Sequence, residues 1–258
     1  MPELPEVEMY ARYFARHALR QPIARVRVID ERILGRTRKP AFVRGLTGRS
    51  FRAVRRHGKH LFADAETTWL HLHFGMTGDL VYYDGDAPPR FARLIFDFAN
   101  GKHLAFDDMR IFGYAELSSD PDTYIREYAL GPDPLQMRLR EFRARLDERR
   151  GAIKAVLMSQ NVIAGVGNLY ADETLYRSGI DPRRPTDRLS AAEVKKIFGN
   201  MRNVLRETID FKSRGEDYPR RYLLPHREED DCCPRCGGMI ARTVVGGRTT
   251  YFCARHQT

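Results

Sequence analysis

The chain has 258 residues, of which 42% are hydrophobic; this fits one large domain or two to three smaller ones and excludes a disordered chain. No apolar run approaches the roughly 18 residues of a membrane span, and the N-terminus does not look like a signal segment, so we expect a cytoplasmic protein. The formal charge of +10 favours a polyanionic partner such as nucleic acid, although a merely basic protein would carry the same charge.

The N-terminal part is predicted to form a helix followed by antiparallel strands. Val7, Ala11 and Phe14 recur at helical spacing. Strand patterns follow at residues 23–29, 51–55, 69–74, 80–83, 91–98 and 103–106. Asn100-Gly101 indicates a hairpin turn. These features predict a β-sandwich or barrel-like domain that ends near residue 125. Within residues 69–74, leucines alternate with His71 and His73, as in a half-buried strand.

From about residue 126 the pattern becomes helical, with segments at 138–150 and 153–159. Asn168 is placed to begin a helix that Gly179 ends. Ser190 and Glu193 form a capping box ahead of an amphipathic run. Residues 212–231 are polar and contain prolines, so they are predicted to be a linker or a mobile loop.

The four cysteines are confined to residues 232–253, which favours a metal site over a disulfide framework. Cys233-Pro-Arg-Cys236 is followed after sixteen residues by Cys253-Ala-Arg-His256. Two such half-sites present four ligands to one tetrahedral zinc ion. Between them, two alternating strands flank Gly246-Gly247, which suits a type I′ turn. The sequence predicts one structural zinc ion that closes a β-hairpin, with Cys232 as a spare or outward-facing thiol.

Seven motifs, taken together, resemble the formamidopyrimidine-DNA glycosylases, whose sister branch is endonuclease VIII. The sequence opens with Met1-Pro2-Glu3-Leu4-Pro5-Glu6-Val7-Glu8. The others follow in order: Gly58-Lys59, Phe74-Gly75-Met76-Thr77-Gly78, Asp108-Met109-Arg110-Ile111-Phe112-Gly113, Leu130-Gly131-Pro132-Asp133-Pro134-Leu135, Gly165-Val166-Gly167-Asn168-Leu169-Tyr170 and Arg248-Thr249-Thr250-Tyr251-Phe252-Cys253.

The resemblance implies an α+β architecture in three parts. These are an N-terminal antiparallel β-sandwich with flanking helices at 1–125, a helix-two-turn-helix domain at 126–212, and a linker with a C-terminal zinc finger at 213–258. It also implies a bifunctional DNA glycosylase and AP lyase of base excision repair, which removes oxidised bases from damaged double-stranded DNA and cuts the strand by β,δ-elimination. We expect a monomeric bacterial enzyme that works at the nucleoid.

The resemblance further implies a set of catalytic residues. Removal of the initiator Met would free the amine of Pro2, which the resemblance implies is the nucleophile. An α-amino group has an ordinary pKa near 8, so part of it is neutral and nucleophilic at pH 7. Glu3 is the implied general acid. Lys59 is expected near the phosphate of the lesion, and Arg248 is expected to grip phosphates and to assist the second elimination. Without the resemblance, Pro2 and Glu3 would simply start a helix.

Five further residues are expected at the DNA-binding site. Met76, Arg110 and Phe112 are the implied fillers of the gap that a flipped base leaves in the stack. Asn168, at a helix N-terminus, is expected to lie where backbone N–H groups bind a phosphate. Glu6 lies one helical turn beyond Pro2 and is expected to tune the amine.

The sequence departs from the family pattern in three places. His256 stands where cysteine is usual, Ile111 replaces a second arginine, and residues 211–231 are shorter than the stretch that covers 8-oxoguanine in the guanine-lesion enzymes. The last two predict a broader lesion range, with weaker preference for cytosine opposite the lesion. The alternatives are an endonuclease VIII-type enzyme that prefers oxidised pyrimidines, and a non-catalytic zinc protein that binds DNA or RNA.

Overall fold

The computed structural model describes residues 2–258. The chain divides into two compact units, an N-terminal unit that ends at Ala129 and a C-terminal unit that begins at Leu130. No helix within residues 2–258 combines the length and the apolar character that crossing a bilayer requires.

The N-terminal unit contains two four-stranded antiparallel sheets with strand orders β1-β6-β7-β5 and β2-β3-β4-β8. The strands are β1 Ile23–Val28, β2 Ala53–His57, β3 His60–Asp64, β4 Trp69–His73, β5 Gly78–Tyr83, β6 Ala92–Phe98, β7 His103–Asp108 and β8 Tyr114–Ser118. The helices are α1 Leu4–Ala18, α2 Lys39–Leu46 and α3 Pro121–Glu127. One buried core contains residues of both sheets, such as Leu72 and Phe96, together with Phe14 of α1 and Phe42 of α2.

The sandwich, the first helix and the hairpin at Asn100-Gly101 confirm the sequence prediction. Two strands were not predicted, β3 and β8. Four of the five residues of β3 are buried, so the strand lacks the alternation that marks a half-buried strand.

Strand β4 corrects one prediction, because it is not half-buried. Leu70 and Leu72 contact the core between the sheets, but His71 is also fully buried, on the other face. Helix α3 covers that face: the ring of Tyr124 lies 4.1 Å from the ring of His71. The alternation of the strand therefore separates an apolar layer from a second layer of imidazole and phenol side chains, which the periodicity alone could not distinguish from a solvated face.

The C-terminal unit is helical and ends in a hairpin. Its elements are α4 Leu139–Asp147, α5 Ile153–Met158, α6 Asn168–Ser178, α7 Ala191–Ser213, β9 Ile240–Val245 and β10 Arg248–Cys253. Gly179 ends α6 with a φ of 67°, as predicted, and the capping box of Ser190 and Glu193 begins α7. The N-cap of α6 is Gly167, so Asn168 is the first helical residue.

The prediction of a linker or mobile loop at 212–231 is wrong for part of that segment. Helix α7 continues to Ser213. Tyr222 and Leu223 are fully buried, and the guanidinium of Arg177 lies 3.9 Å from the centre of the Tyr222 ring. An aromatic anchor in a polar stretch therefore packs the segment against α6 and α7, and composition alone does not reveal such an anchor.

Candidate active site and zinc centre

Pro2 and Glu3 lie immediately before α1, and Glu3 is its N-cap residue. The Glu6 carboxylate accepts the backbone N–H of Glu3 at 3.0 Å, and the Glu3 side chain is buried, with 1% exposed. An acidic side chain in the first turn is favoured by the helix dipole. The backbone around the predicted nucleophile and acid is therefore fixed by a local cap. The predicted removal of Met1 concerns a residue outside the described part of the chain.

A second feature joins α1 to the turn that carries Lys59. Glu8 in α1 accepts from Arg56 at 2.8 Å, and Arg56 also donates to the carbonyl of Gly58 at 3.3 Å. The Arg56 side chain is 8% exposed and its partner Glu8 25%, so solvent screens this ion pair only in part. The helix that begins beside Pro2 and the Gly58-Lys59 turn are thus linked through the side chain of one arginine.

The buried carboxylate of Asp108 joins two loops of the N-terminal unit. Its Oδ1 accepts from Thr77 Oγ1 at 2.5 Å and from the Arg110 backbone at 3.2 Å, and its Oδ2 accepts from the Gly113 backbone at 2.8 Å. The same loops touch through their backbones, because a Cβ on Gly75 would lie 2.2 Å from the Phe112 carbonyl carbon. Gly75 also has a φ of +53°, so only glycine fits there.

These loops expose apolar side chains on a fixed backbone. Met76 is 42% exposed and Phe112 is 54% exposed, whereas most large apolar side chains of a folded domain are buried. The Arg110 guanidinium lies 4.6 Å from the centre of the Phe112 ring. Ile111, between them, has a φ of 53°, a strained conformation for a β-branched residue, and its side chain packs against the core. The loop therefore directs residues 110 and 112 outward and residue 111 inward.

In the C-terminal unit, the predicted zinc ligands form one cluster. The ligand atoms of Cys233, Cys236, Cys253 and His256 all lie within 4.8 Å of one another. The Cys236 and Cys253 sulfurs are 3.5 Å apart, and His256 Nδ1 is 3.6 Å from the Cys233 sulfur. Metal–ligand distances of 2.0–2.3 Å give tetrahedral edges of about 3.3–3.8 Å, so this donor set fits zinc.

His256 fits the cluster, although the family resemblance implies a cysteine at this position. Its Nδ1 faces the sulfurs, and its Nε2 lies 3.3 Å from the carbonyl oxygen of Tyr176. A ring nitrogen that donates to a carbonyl leaves the other nitrogen free to bind metal. Cys232 is exposed and lies outside the cluster, as predicted. Gly246 and Gly247 both have positive φ, at 58° and 72°, which the predicted type I′ turn requires.

Arg248, the first residue of β10, is exposed, but the strand behind it is fixed by a buried ion pair. Lys154 of α5 lies 2.7 Å from Asp172 of α6, and both side chains are 0% exposed. Lys154 also donates to Thr250 Oγ1 at 2.5 Å and to the Thr249 carbonyl at 3.2 Å. Burial raises the pKa of Asp172, which Lys154 and Arg227 partly offset.

Asn168 lies at the N-terminus of α6, an 11-residue helix whose N-cap is Gly167. Its side-chain Oδ1 is buried and makes no hydrogen bond among the described residues. The positive end of the helix dipole makes such a terminus suited to an anion.

Comparison with known proteins identifies the family to which both units belong. Three family models match consecutive parts of the chain: the formamidopyrimidine-DNA glycosylase N-terminal domain at residues 1–115, the formamidopyrimidine-DNA glycosylase H2TH domain at 130–218, and the zinc finger found in FPG and IleRS at 232–255. A formamidopyrimidine-DNA glycosylase of Geobacter metallireducens is 39% identical over all of both chains. The chain belongs to the formamidopyrimidine-DNA glycosylase family.

Other members agree with this assignment in sequence and in structure. A formamidopyrimidine-DNA glycosylase of a Nocardioides species is 37% identical over 98% of this chain and 93% of its own. The Lactococcus lactis formamidopyrimidine-DNA glycosylase, solved with DNA that contains an AP site, is 28% identical and superposes with a TM-score of 0.90 over 99% of each chain. The family resemblance, the α+β fold, the structural zinc and the function of a DNA glycosylase and AP lyase in base excision repair are confirmed.

Three residues of this formamidopyrimidine-DNA glycosylase family member were not assigned a role from sequence. Asp108, Lys154 and Asp172 are buried charged residues whose partners lie in other elements. A single charged residue gives no local signal in the sequence, because its role here depends on contacts with residues 18 to 96 positions away. Asp108 does lie within one of the family motifs, and this position in the motif is the one sequence feature that could have indicated its importance.

Proposed function

We propose that the Pro2 amine is the nucleophile and Glu3 the general acid of base excision. The cap at the start of α1 supports this, because Glu6 accepts the Glu3 backbone N–H and so fixes the residue beside the amine. Attack of the amine nitrogen on C1′ breaks the glycosidic bond while Glu3 delivers a proton to the sugar or the leaving base. The resulting iminium acidifies the C2′ hydrogen, whose loss expels the 3′ phosphate, and a second elimination expels the 5′ phosphate.

Lys59 and Arg248 are proposed to bind the phosphates on which the eliminations depend. Lys59 lies in a turn whose carbonyl accepts from the buried Arg56, and a fixed cation is the residue type that a phosphate leaving group requires. Arg248 is exposed on a strand whose next two residues accept from the buried Lys154. Arg248 thus combines an exposed side chain with a restrained backbone, whereas Lys59, at 8% exposed, lies on a restrained turn with its side chain largely buried.

Met76, Arg110 and Phe112 are proposed to fill the space left by the flipped nucleotide. The supporting observation is the exposure of two large apolar side chains beside a guanidinium stacked on one of them. Stacking of such groups on neighbouring bases compensates for part of the cost of extrusion. The N-terminus of α6 at Asn168 is proposed to bind a DNA phosphate.

The most detailed part of this proposal concerns which lesions the enzyme processes. The Ile111 side chain packs against the core and has no hydrogen-bond donor, which supports a weaker reading of the orphan base than an arginine would provide. We propose that formamidopyrimidines and abasic sites are processed well and 8-oxoguanine less so. The three-part division at residues 125 and 212, the monomeric state and the cytoplasmic location are proposed with it.

Trapping of the covalent intermediate tests the assignment. Borohydride should reduce the iminium and link the protein to an abasic duplex through Pro2, as peptide mapping would show. Pro2→Gly should weaken the adduct greatly, whereas the matched change Pro5→Gly should not. An adduct that maps to a lysine would overturn the role of Pro2. Rates on 8-oxoguanine and thymine glycol duplexes in parallel would separate the two branches of the family.

A further inference from the structure

A layer of imidazole and phenol side chains covers the outer face of the β2-β3-β4-β8 sheet. Two adjacent rows of residues form it. In the strand register of the first row, His57 lies opposite His60 and His60 opposite His73. In the second row, Phe62 lies opposite His71 and His71 opposite Glu116. His60, His71 and Glu116 are at most 8% exposed. Buried polar groups in such numbers are costly unless they are hydrogen-bonded, and the reaction proposed above uses none of them.

A hydrogen-bonded chain runs through this layer. Glu116 Oε1 lies 3.4 Å from His71 Nδ1, and His71 Nε2 lies 2.9 Å from His60 Nδ1. The second carboxylate oxygen accepts from the Arg36 backbone at 2.9 Å. A carboxylate only accepts, so His71 donates from Nδ1, and its Nε2 then accepts from His60 Nδ1–H. Glu116 thereby fixes the tautomer and orientation of both rings.

The chain ends beside Lys59. His60 directly follows Lys59, and the His57–His60 pair closes the Gly58-Lys59 turn, in which Gly58 has a φ of 56°. Burial lowers the pKa of His60 well below its ordinary value, and neighbouring imidazoles and the Lys59 charge lower it further. Burial lowers the pKa of His73 to about 4, again with a contribution from Lys59. The turn therefore presents a lysine next to rings that stay neutral at pH 7.

We propose that Glu116, His71 and His60 are positioning residues for Lys59. The hydrogen-bonded chain fixes the His60 ring, the ring fixes the last residue pair of the hairpin, and that pair fixes the turn from which the lysine reaches the lesion phosphate. The inference rests on the role proposed above for Lys59. The other titratable or charged groups of the layer are His57, His73, Tyr114, Tyr124, Tyr128 and Arg36.

A double-mutant cycle tests the proposal and separates it from the role of Lys59. His71→Phe keeps the ring and removes both hydrogen bonds. Single-turnover strand cleavage of a saturating abasic duplex should slow about tenfold, with the Kd for that duplex unchanged. In a Lys59→Met background the same change should have no further effect, because residues that act through one another are not additive.

The outcomes are distinguishable. If Lys59→Met retains the full rate, the role of Lys59 is wrong and the inference falls with it. If Lys59→Met slows cleavage, and His71→Phe slows it by the same factor in the Lys59→Met background as in the wild type, the role of Lys59 stands and the positioning chain is refuted. Tyr124→Phe is the matched control, because it removes one hydrogen bond, to Tyr114 at 2.9 Å, from the same layer but outside the chain. It should lower the melting temperature without slowing cleavage.

The tautomers provide a readout that a purely structural role would not change. Nitrogen chemical shifts should identify both His60 and His71 as Nδ1–H rings in the wild-type protein. Glu116→Gln leaves one acceptor oxygen where the carboxylate had two. Either His71 and Tyr128, which share Oε1, or the Arg36 backbone then loses its acceptor, and the tautomers should become mixed as the cleavage rate falls. Wild-type rings protonated at Nε2 would overturn the chain.

Discussion

The loop that carries Arg110 and Phe112 belongs to a unit with two sheets and a large core, whereas the strand that carries Arg248 belongs to a hairpin of two strands. Both expose, on a restrained backbone, side chains that we propose contact DNA. In the N-terminal unit the restraint is a buried carboxylate, Asp108, which accepts three hydrogen bonds. In the hairpin it is a four-ligand metal cluster and the ion pair of Lys154 with Asp172.

The difference follows from how much apolar surface each region buries. A sandwich is stable without its loops, so hydrogen bonds of modest net value suffice to order one of them. A two-stranded hairpin is marginal by itself, and it requires a covalent or metal constraint. We therefore expect the hairpin to fail as a whole when one ligand is lost, and the loop of the N-terminal unit to loosen locally.

The largest expected effect is loss of the zinc. Cys236→Ser should release the ion and unfold residues 240–253, because structural zinc contributes on the order of 10 kcal/mol in small fingers. Binding to damaged DNA should weaken, since Arg248 loses its support. Metal analysis and amide exchange of the hairpin measure both results.

Two variants control the zinc prediction. Cys232→Ser makes the same substitution at an exposed cysteine outside the cluster and should keep the metal. His256→Cys should also keep it, because thiolate and imidazole are both good zinc ligands. A Cys236→Ser protein with an ordered hairpin would show that the hairpin does not depend on the ion.

The next effect is at the buried ion pair. Lys154→Met keeps the length of the side chain but leaves Asp172 with Arg227 at 2.9 Å and the Tyr251 backbone N–H at 3.3 Å. Breaking a buried pair costs roughly 3–5 kcal/mol, so amides of β10 should exchange faster and strand cleavage should slow even with zinc bound. Lys195→Met, at an exposed position of α7, is the matched control. Unchanged exchange in β10 would show that the metal alone orders the strand.

The sequence predicted the zinc ligands and missed this ion pair for one reason. The spacing within each half-site predicts the four ligands, Cys233, Cys236, Cys253 and His256. The glycine pair Gly246-Gly247 predicts the turn, because the turn requires positive φ angles. The pairing of Lys154 with Asp172 depends on how α5 and α6 pack, and no local pattern encodes that. The same holds for β4: its alternation predicts two distinct faces, but no local pattern shows that α3 covers the second one.

Asp108 should show the smaller, local effect that distinguishes the two regions. In Asp108→Asn an amide NH2 replaces one acceptor oxygen and faces a donor, at a cost of about 1–3 kcal/mol. We expect slower base extrusion, measured by fluorescence of an adenine analogue beside the lesion, with the zinc and the hairpin unaffected. Asp107→Asn is the control, because Asp107 accepts only the Phe91 backbone in the structure. Equal slowing in both variants would remove the special role of Asp108.

The smallest expected effect is that of acid on stability, because the buried groups of the two units change stability in opposite directions as the pH falls. Burial raises the pKa values of Asp172 and Glu173 in the C-terminal unit. The folded state therefore binds more protons than the unfolded one as these carboxyls titrate, and their contribution to stability improves as the pH falls. In the N-terminal unit, burial lowers the pKa values of His60, His71 and His73.

Below pH 6.5 the unfolded chain protonates those histidines while the folded N-terminal unit does not, so that unit loses stability as the pH falls from 6.5 towards about 4, the folded pKa of His73. Each histidine contributes up to about 1.4 kcal/mol per pH unit. Trp69 is the only tryptophan of the chain and lies in β4, so its fluorescence reports on this unit. The urea midpoint should fall between about pH 7 and about pH 5, and the double change His60→Phe with His71→Phe should flatten that slope. An equal slope in the double variant would mean that acid acts elsewhere in the unit.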